Sequence, residues 1–143
     1  MKLAARALTG ISAAALATIM GMASAQAAPA VYTIDLVTCN VEDAGTDARV
    51  EERLNGTISS QWNNLDTSGD DRERGHTDSY SFTLSDLGPI RSIDIAFDNK
   101  GDSSHWCLEE VVVRGPQGVT VHPYHNWLSR AYTKSSPLRL QAA

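Results

Sequence analysis

What this sequence has little of narrows its function early. No stretch keeps an apolar period of 3.6 residues for more than about two turns, so helical bundles and doubly wound α/β folds lack their building material. The longest apolar run, Ala7 to Met22, is broken by Thr9, Gly10, Ser12, Thr18 and Gly21, whereas a bilayer span needs about 20 mostly apolar residues. No nucleophile elbow or oxyanion-hole sequence accompanies Ser103-Ser104-His105 and Asp98, which therefore read as a polar loop rather than a hydrolytic triad. His122 and His125 lie close together, but no third ligand stands at a zinc-binding spacing. Lysines and arginines number 12 against 17 aspartates and glutamates, and they are scattered along the chain. A phosphate backbone finds no basic patch in that pattern, so nucleic acid is set aside as a partner. The chain is read as non-catalytic.

What is present begins with a leader. Lys2 and Arg6 precede the apolar run, and Ala23-Ser24-Ala25 or Ala25-Gln26-Ala27 offers the small residues a signal peptidase requires. Residues 1–28 are expected to be a secretory signal peptide, and residues 29–143 a single secreted, extracellular domain. Loss of Lys2 and Arg6 with the leader moves the formal charge from -5 to -7. The two cysteines, Cys39 and Cys107, would then meet an oxidising compartment, where one disulfide is the default expectation and two buried thiols the alternative. A bond across their 68-residue separation would stabilise by about 4 kcal/mol in the chain-entropy account.

Alternation of period two predicts strands. Tyr32, Ile34 and Leu36 would face a core from the first, Tyr80, Phe82 and Leu84 from a middle one, and Ile93, Ile95 and Phe97 from the cleanest, with Ser92 and Asp94 outward. Ala48 to Leu54 is charged enough to suggest an exposed or edge strand. Asn55-Gly56 signals a hairpin turn through residues that accept positive φ, and Asn55-Gly56-Thr57 is also a glycosylation sequon. Leu108 to Arg114 and Val119 to Tyr124 complete some eight short strands, which points to an all-β antiparallel sandwich.

Three connections between these strands are rich in oxygen. Thr38 to Val50 carries Glu42, Asp43 and Asp47 around Gly45; Asp66 to Asp71 carries three carboxylates around Gly69; Asp98 to His105 opens with Asp98 and Asn99. Carboxylates so crowded are either splayed into solvent or gathered around a cation, and the residues alone leave both open.

These segments together resemble the PLAT domain, also called the lipoxygenase-homology or polycystin/alpha-toxin domain. The matching stretches are Tyr32-Thr33-Ile34, Ala44-Gly45-Thr46-Asp47-Ala48, Glu73 to Phe82, Leu87-Gly88-Pro89-Ile90, Phe97 to Gly101, Trp106 to Val113 and Asn126-Trp127-Leu128, running from Val31 to Leu140 in order. The resemblance implies an eight-stranded β-sandwich of two four-stranded sheets. It further implies a non-catalytic module that meets a membrane lipid surface or a partner protein, sometimes with calcium held at loop ends.

Carried over by motif, Asp47 is the best single calcium candidate, with Asp66, Gly69 and Asp71 matching a toxin-type loop and Asp98 and Asn99 a further pair that could instead cap a turn. The family often has Thr-Gly where this chain has Thr38-Cys39; a Cys39–Cys107 bond would draw the Asp47 and Asp98 loops to one end of the sandwich. Trp62, His105 and Trp106 are candidates for a lipid interface, although tryptophan core packing is the competing role for Trp62, Trp106 and Trp127. The leading expectation is a secreted monomer that associates with lipid surfaces with calcium's help. The alternative is an extracellular protein-interaction module recruiting a separate enzyme or wall component, with calcium purely structural.

Overall fold

A computed structural model describes residues 28–67 and 69–143. Apart from Ala28, the expected leader lies outside the described residues. Eight strands follow in order: β1 Pro29–Thr38, β2 Val50–Asn55, β3 Asn63–Asn64, β4 Thr77–Ser85, β5 Ser92–Phe97, β6 Trp106–Gly115, β7 Gly118–Leu128 and β8 Leu138–Gln141. They form two antiparallel four-stranded sheets, β4-β1-β6-β7 and β3-β2-β5-β8. The expected all-β sandwich is therefore the observed fold.

Alternation does the work that was expected of it. Tyr32, Ile34, Leu36, Ile93, Ile95 and Phe97 are buried together with Leu108, Val111, Val113 and Leu128 in one core. Registers such as Leu36 opposite Val111 and Leu54 opposite Ile93 keep the apolar faces aligned from strand to strand. Trp106 closes the core at one end. It is 0% exposed, donates its indole N–H to Thr38 Oγ1 at 3.0 Å and lies 6.1 Å from the Phe97 ring. That burial corrects the lipid-interface candidacy of Trp106, because an indole enclosed in the core cannot enter a membrane.

Three further expectations need correction. Strand β2 sits between β3 and β5 rather than at an edge, and its Glu52 stands inward between Val50 and Leu54, 0% exposed. Asn55 and Gly56 do turn the chain, yet neither has positive φ. Gly56 is required for space instead, since a Cβ there would lie 2.3 Å from the Leu87 carbonyl oxygen. Ser92 and Asp94 point outward as predicted but are buried all the same, Asp94 beneath Arg53 and Arg139.

Cys39 and Cys107 form the expected disulfide, with Cα atoms 5.4 Å apart. Main-chain bonds run alongside it, from Cys39 N to Cys107 O, from Cys107 N to Ala44 O and from Gly75 N to Cys39 O. The start of the β1–β2 connection is thereby fixed to β6 and to the segment before β4, at one end of the sandwich.

Candidate functional site at one end of the sandwich

The oxygen-rich connections meet at the end that the disulfide fixes. Thr46 Oγ1 donates to Ser103 O at 2.7 Å and accepts from Ala48 N at 3.0 Å, while Asp47 N donates to Ser103 O at 3.0 Å. Gly45 has no room for a side chain, because a Cβ would come within 2.8 Å of Arg72 O. The Gly-Thr-Asp segment is thus a knot whose first residue permits close approach, whose second bonds sideways, and whose third is left to face a cavity.

Arg72 ties the second connection to the first. Its buried guanidinium donates to Leu65 O at 2.6 Å and to Ala48 O at 3.2 Å, and its backbone N donates to Asp78 Oδ2 at 2.8 Å. Asp98 ties in the third, because its Oδ1 accepts Arg49 N at 2.9 Å and Lys100 N at 3.2 Å. One Asp98 oxygen therefore caps the turn, the structural role weighed for this motif.

Two open cavities flank Asp47. One, of about 380 Å3, is lined by Asp47, Asp66 and Asp98 with Asn64, and by Arg49, Arg72 and Lys100. The other, of about 720 Å3, is lined by Asp43, Asp47, Glu73 and Asp102 with Arg74, His105 and Trp127. Asp70's charge is the largest influence holding the Glu73 carboxyl above its usual range, and Asp47 adds to it. The rim carries more negative charge than its cations neutralise locally.

Of the six metal candidates, the structure brings Asp47, Asp66 and Asp98 to one cavity. Gly69, Asp71 and Asn99 are not among its lining. Asp71 turns back on its own loop, accepting Thr67 N at 2.6 Å and Thr67 Oγ1 at 2.5 Å. Burial works to raise its carboxyl, but the Thr67 bonds and the Arg72 charge prevail and lower it. Gly69 N donates to Thr67 Oγ1, and Asn99, at φ 51°, donates to Ser129 O. Both are parts of turns.

The donor chemistry of the smaller cavity fits a hard divalent cation: three carboxylates from three separate connections and an amide from β3, with no sulfur or imidazole among them. Arg49, Arg72 and Lys100 in the same wall oppose a cation and favour moderate affinity.

The aromatic candidates separate. His105 is exposed and lines the larger cavity. Trp62 lies under Arg53 at 5.0 Å and near Lys134 at 6.0 Å, on the outer face of the β3-β2-β5-β8 sheet and away from this rim. Trp127, for which packing was expected, is 38% exposed on the rim, and Val41 in the β1–β2 connection is 44% exposed. A sequence signal for Trp127 existed in its odd-numbered offset from Leu128, which places the two on opposite faces of β7.

The model for the PLAT/LH2 domain matches residues 32–137. Lipoxygenase homology domain-containing protein 1 of Mus musculus is 30% identical over 101 residues, 68% of this chain and 5% of that protein; the Homo sapiens protein matches to the same extent. The chain thus spans about 5% of the length of these relatives. Among solved structures, coral 8R-lipoxygenase, described as activated by calcium through a C2-like domain, superposes with a TM-score of 0.67 at 24% identity, over 79% of this chain and 17% of that one. A calcium-dependent 11R-lipoxygenase gives 0.60 at 25% identity, over 79% of this chain and 17% of that one. The alpha toxin from Clostridium absonum gives 0.61 at 19% identity, over 78% of this chain and 30% of that one.

Proposed function

Because the chain belongs to the PLAT/LH2 domain family, we propose that it is a secreted, non-catalytic binding module that associates with lipid surfaces through the Asp47 end of its sandwich, assisted by calcium. The observation that carries this reading is the convergence of Asp47, Asp66 and Asp98 from three connections on one cavity, beside the exposed Trp127. The calcium dependence stated for the coral 8R- and the 11R-lipoxygenase supports it. Calcium, held by those carboxylates and Asn64, would supply the positive charge that lets an acidic rim approach anionic head groups.

The chain's own residues do the rest. Thr46, Arg72 and the Cys39–Cys107 bond hold the carboxylates in place before any ion arrives, which reduces the ordering cost of binding. Arg49, Arg72 and Lys100 temper the repulsion among the carboxylates, so the loops persist without the ion. Trp127 and Val41 offer an indole and an isopropyl group to the interfacial layer, where amphipathic rings are favoured.

The test is sedimentation with anionic vesicles in calcium and in chelator. Binding is expected in calcium alone, and Trp127→Ala is expected to weaken it about tenfold, the equivalent of about 1.4 kcal/mol of apolar transfer. Asp47→Asn should abolish the calcium heat in titration calorimetry. Equal binding with and without chelator, or an unchanged isotherm for Asp47→Asn, overturns the proposal.

A further inference from the structure

The cations scattered through the sequence do not stay scattered in the fold. On the outer face of the β3-β2-β5-β8 sheet, Arg53, Asp94 and Arg139 stand in register across three adjacent strands. Arg53 Nη2 donates to Asp94 Oδ2 at 2.8 Å, and Arg139 donates to both Asp94 oxygens at 2.7 and 2.9 Å. One strand position pair away, Glu51 accepts Arg49 at 3.2 Å and Lys134 at 3.0 Å. Trp62 fills the gap under Arg53 and Lys134.

The two signs of charge occupy different depths. The carboxylate side chains lie low, Asp94 0% and Glu51 15% exposed, while Arg53, Lys134, Arg139 and Arg49 stand above them at 30, 50, 52 and 61%. Solvent therefore meets four cations over two submerged acids, on a chain whose formal charge is -5. A rigid array of this kind loses little side-chain freedom when it binds, because the acids beneath already hold the guanidinium and ammonium groups.

From this arrangement we infer that the outer face of the β3-β2-β5-β8 sheet binds an extended anionic polysaccharide, without calcium. The cations form two pairs, Arg53 with Arg139 on Asp94 and Arg49 with Lys134 on Glu51. Glu51 and Arg53 are two residues apart on β2, roughly 7 Å, a repeat that suits a hydrated chain with charges at regular intervals. None of the exposed large apolar side chains among the described residues, Val31, Val41, Ile58, Val119, Val121 and Trp127, belongs to a strand of this sheet, and Trp62 on this face is partly buried beneath Arg53 and Lys134. The face therefore offers a ring partly covered by cations rather than a free apolar anchor of the kind that enters a bilayer or dominates protein interfaces. The denser charge of a nucleic acid would meet the repulsion of the acidic remainder of the molecule.

The experiment is retention of the full chain on immobilised polygalacturonate in EDTA, with uncharged dextran as the blank. Retention is expected at low salt and should fall as salt rises. Lys134→Gln should weaken it about threefold, and Arg49→Gln with Lys134→Gln about tenfold, while Arg114→Gln, which removes one charge from the opposite sheet, should change it less than about twofold. None of these substitutions removes a partner of the buried Asp94, and unchanged thermal melts confirm that folding is intact. No retention, equal loss in Arg114→Gln, or Lys134-dependent binding to phosphatidylglycerol vesicles in EDTA but not to the polymer would each overturn the inference. Because calcium is absent throughout, its failure is separable from failure of the lipid reading.

Discussion

At the scale of single residues, the largest departure from the sequence pattern is Glu52, an acid on the inward side of a strand. Its Oε1 accepts Asn63 Nδ2 at 2.8 Å, and its Oε2 is buried without a protein partner. Burial, offset only in part by the Asn63 bond, raises its carboxyl from 4.5 to about 8. Below pH 4.5 the folded and unfolded chains both carry this proton; between 4.5 and 8 the folded chain alone retains it. The stabilisation is therefore complete below 4.5 and is lost toward pH 8, at about 1.4 kcal/mol per pH unit.

His122 acts in the opposite sense. It is 0% exposed, bonded through its ring nitrogens to Thr120 Oγ1 and Leu140 O, and burial lowers its pKa from 6.5. Its contribution is present above 6.5 and lost as pH falls. The two slopes oppose each other on the acid side of 6.5, and Glu52 acts alone above it. Thermal unfolding should show a falling melting temperature from pH 6.5 to 8, and Glu52→Gln should remove that decline; an identical decline in the variant would sink this account.

At the scale of elements, period-two alternation made β1, β4 and β5 legible: β4 turns its polar face to water, whereas β5 keeps polar Ser92 and Asp94 opposite its apolar face although every position in it is buried. Strand β2 was misjudged because Glu52 occupies a core position as a buried hydrogen-bonded acid, which hydropathy counts as exposed. Strand β3 is only two residues long, too short for any period to appear. Asn55-Gly56 was legible as a turn but not by its cause. Its glycine serves the contact with Leu87, whose carbonyl oxygen accepts Thr57 N at 2.7 Å and Ile58 N at 3.3 Å. Gly56→Ala should therefore cost about 2 kcal/mol in denaturant unfolding, through displacement of that turn rather than backbone strain. A cost below about 0.5 kcal/mol, the ordinary scatter of surface changes, would show that the Leu87 turn yields freely.

The same contrast governs the candidate site. Asp47, Asp66 and Asp98 were identifiable from their motifs, whereas Asn64 was not, because only the pairing of β2 with β3 brings it there. Trp127 was missed because its motif position suggested packing, and the exposed face of β7 near its end leaves the ring uncovered.

At the scale of the whole molecule, the fold segregates charge that the sequence intermixes. Carboxylates gather at the loop end around Asp47, and cations stand over the β3-β2-β5-β8 face. Lys134 belongs to the second group and does not line either cavity beside Asp47, so the two surfaces can be separated by mutation. Changes at distant sites with no shared partner add within about 0.5 kcal/mol. Asp47→Asn should therefore remove calcium-dependent vesicle binding while leaving polygalacturonate retention within about twofold of wild type, and Lys134→Gln should weaken that retention about threefold while leaving vesicle binding within about twofold, with the double variant showing the two losses side by side. Were the double variant to lose more on either ligand than the matching single variant, the two faces would be one site. The polymer and the lipid surface would then compete for a common field of charge rather than being held at separate faces of the sandwich.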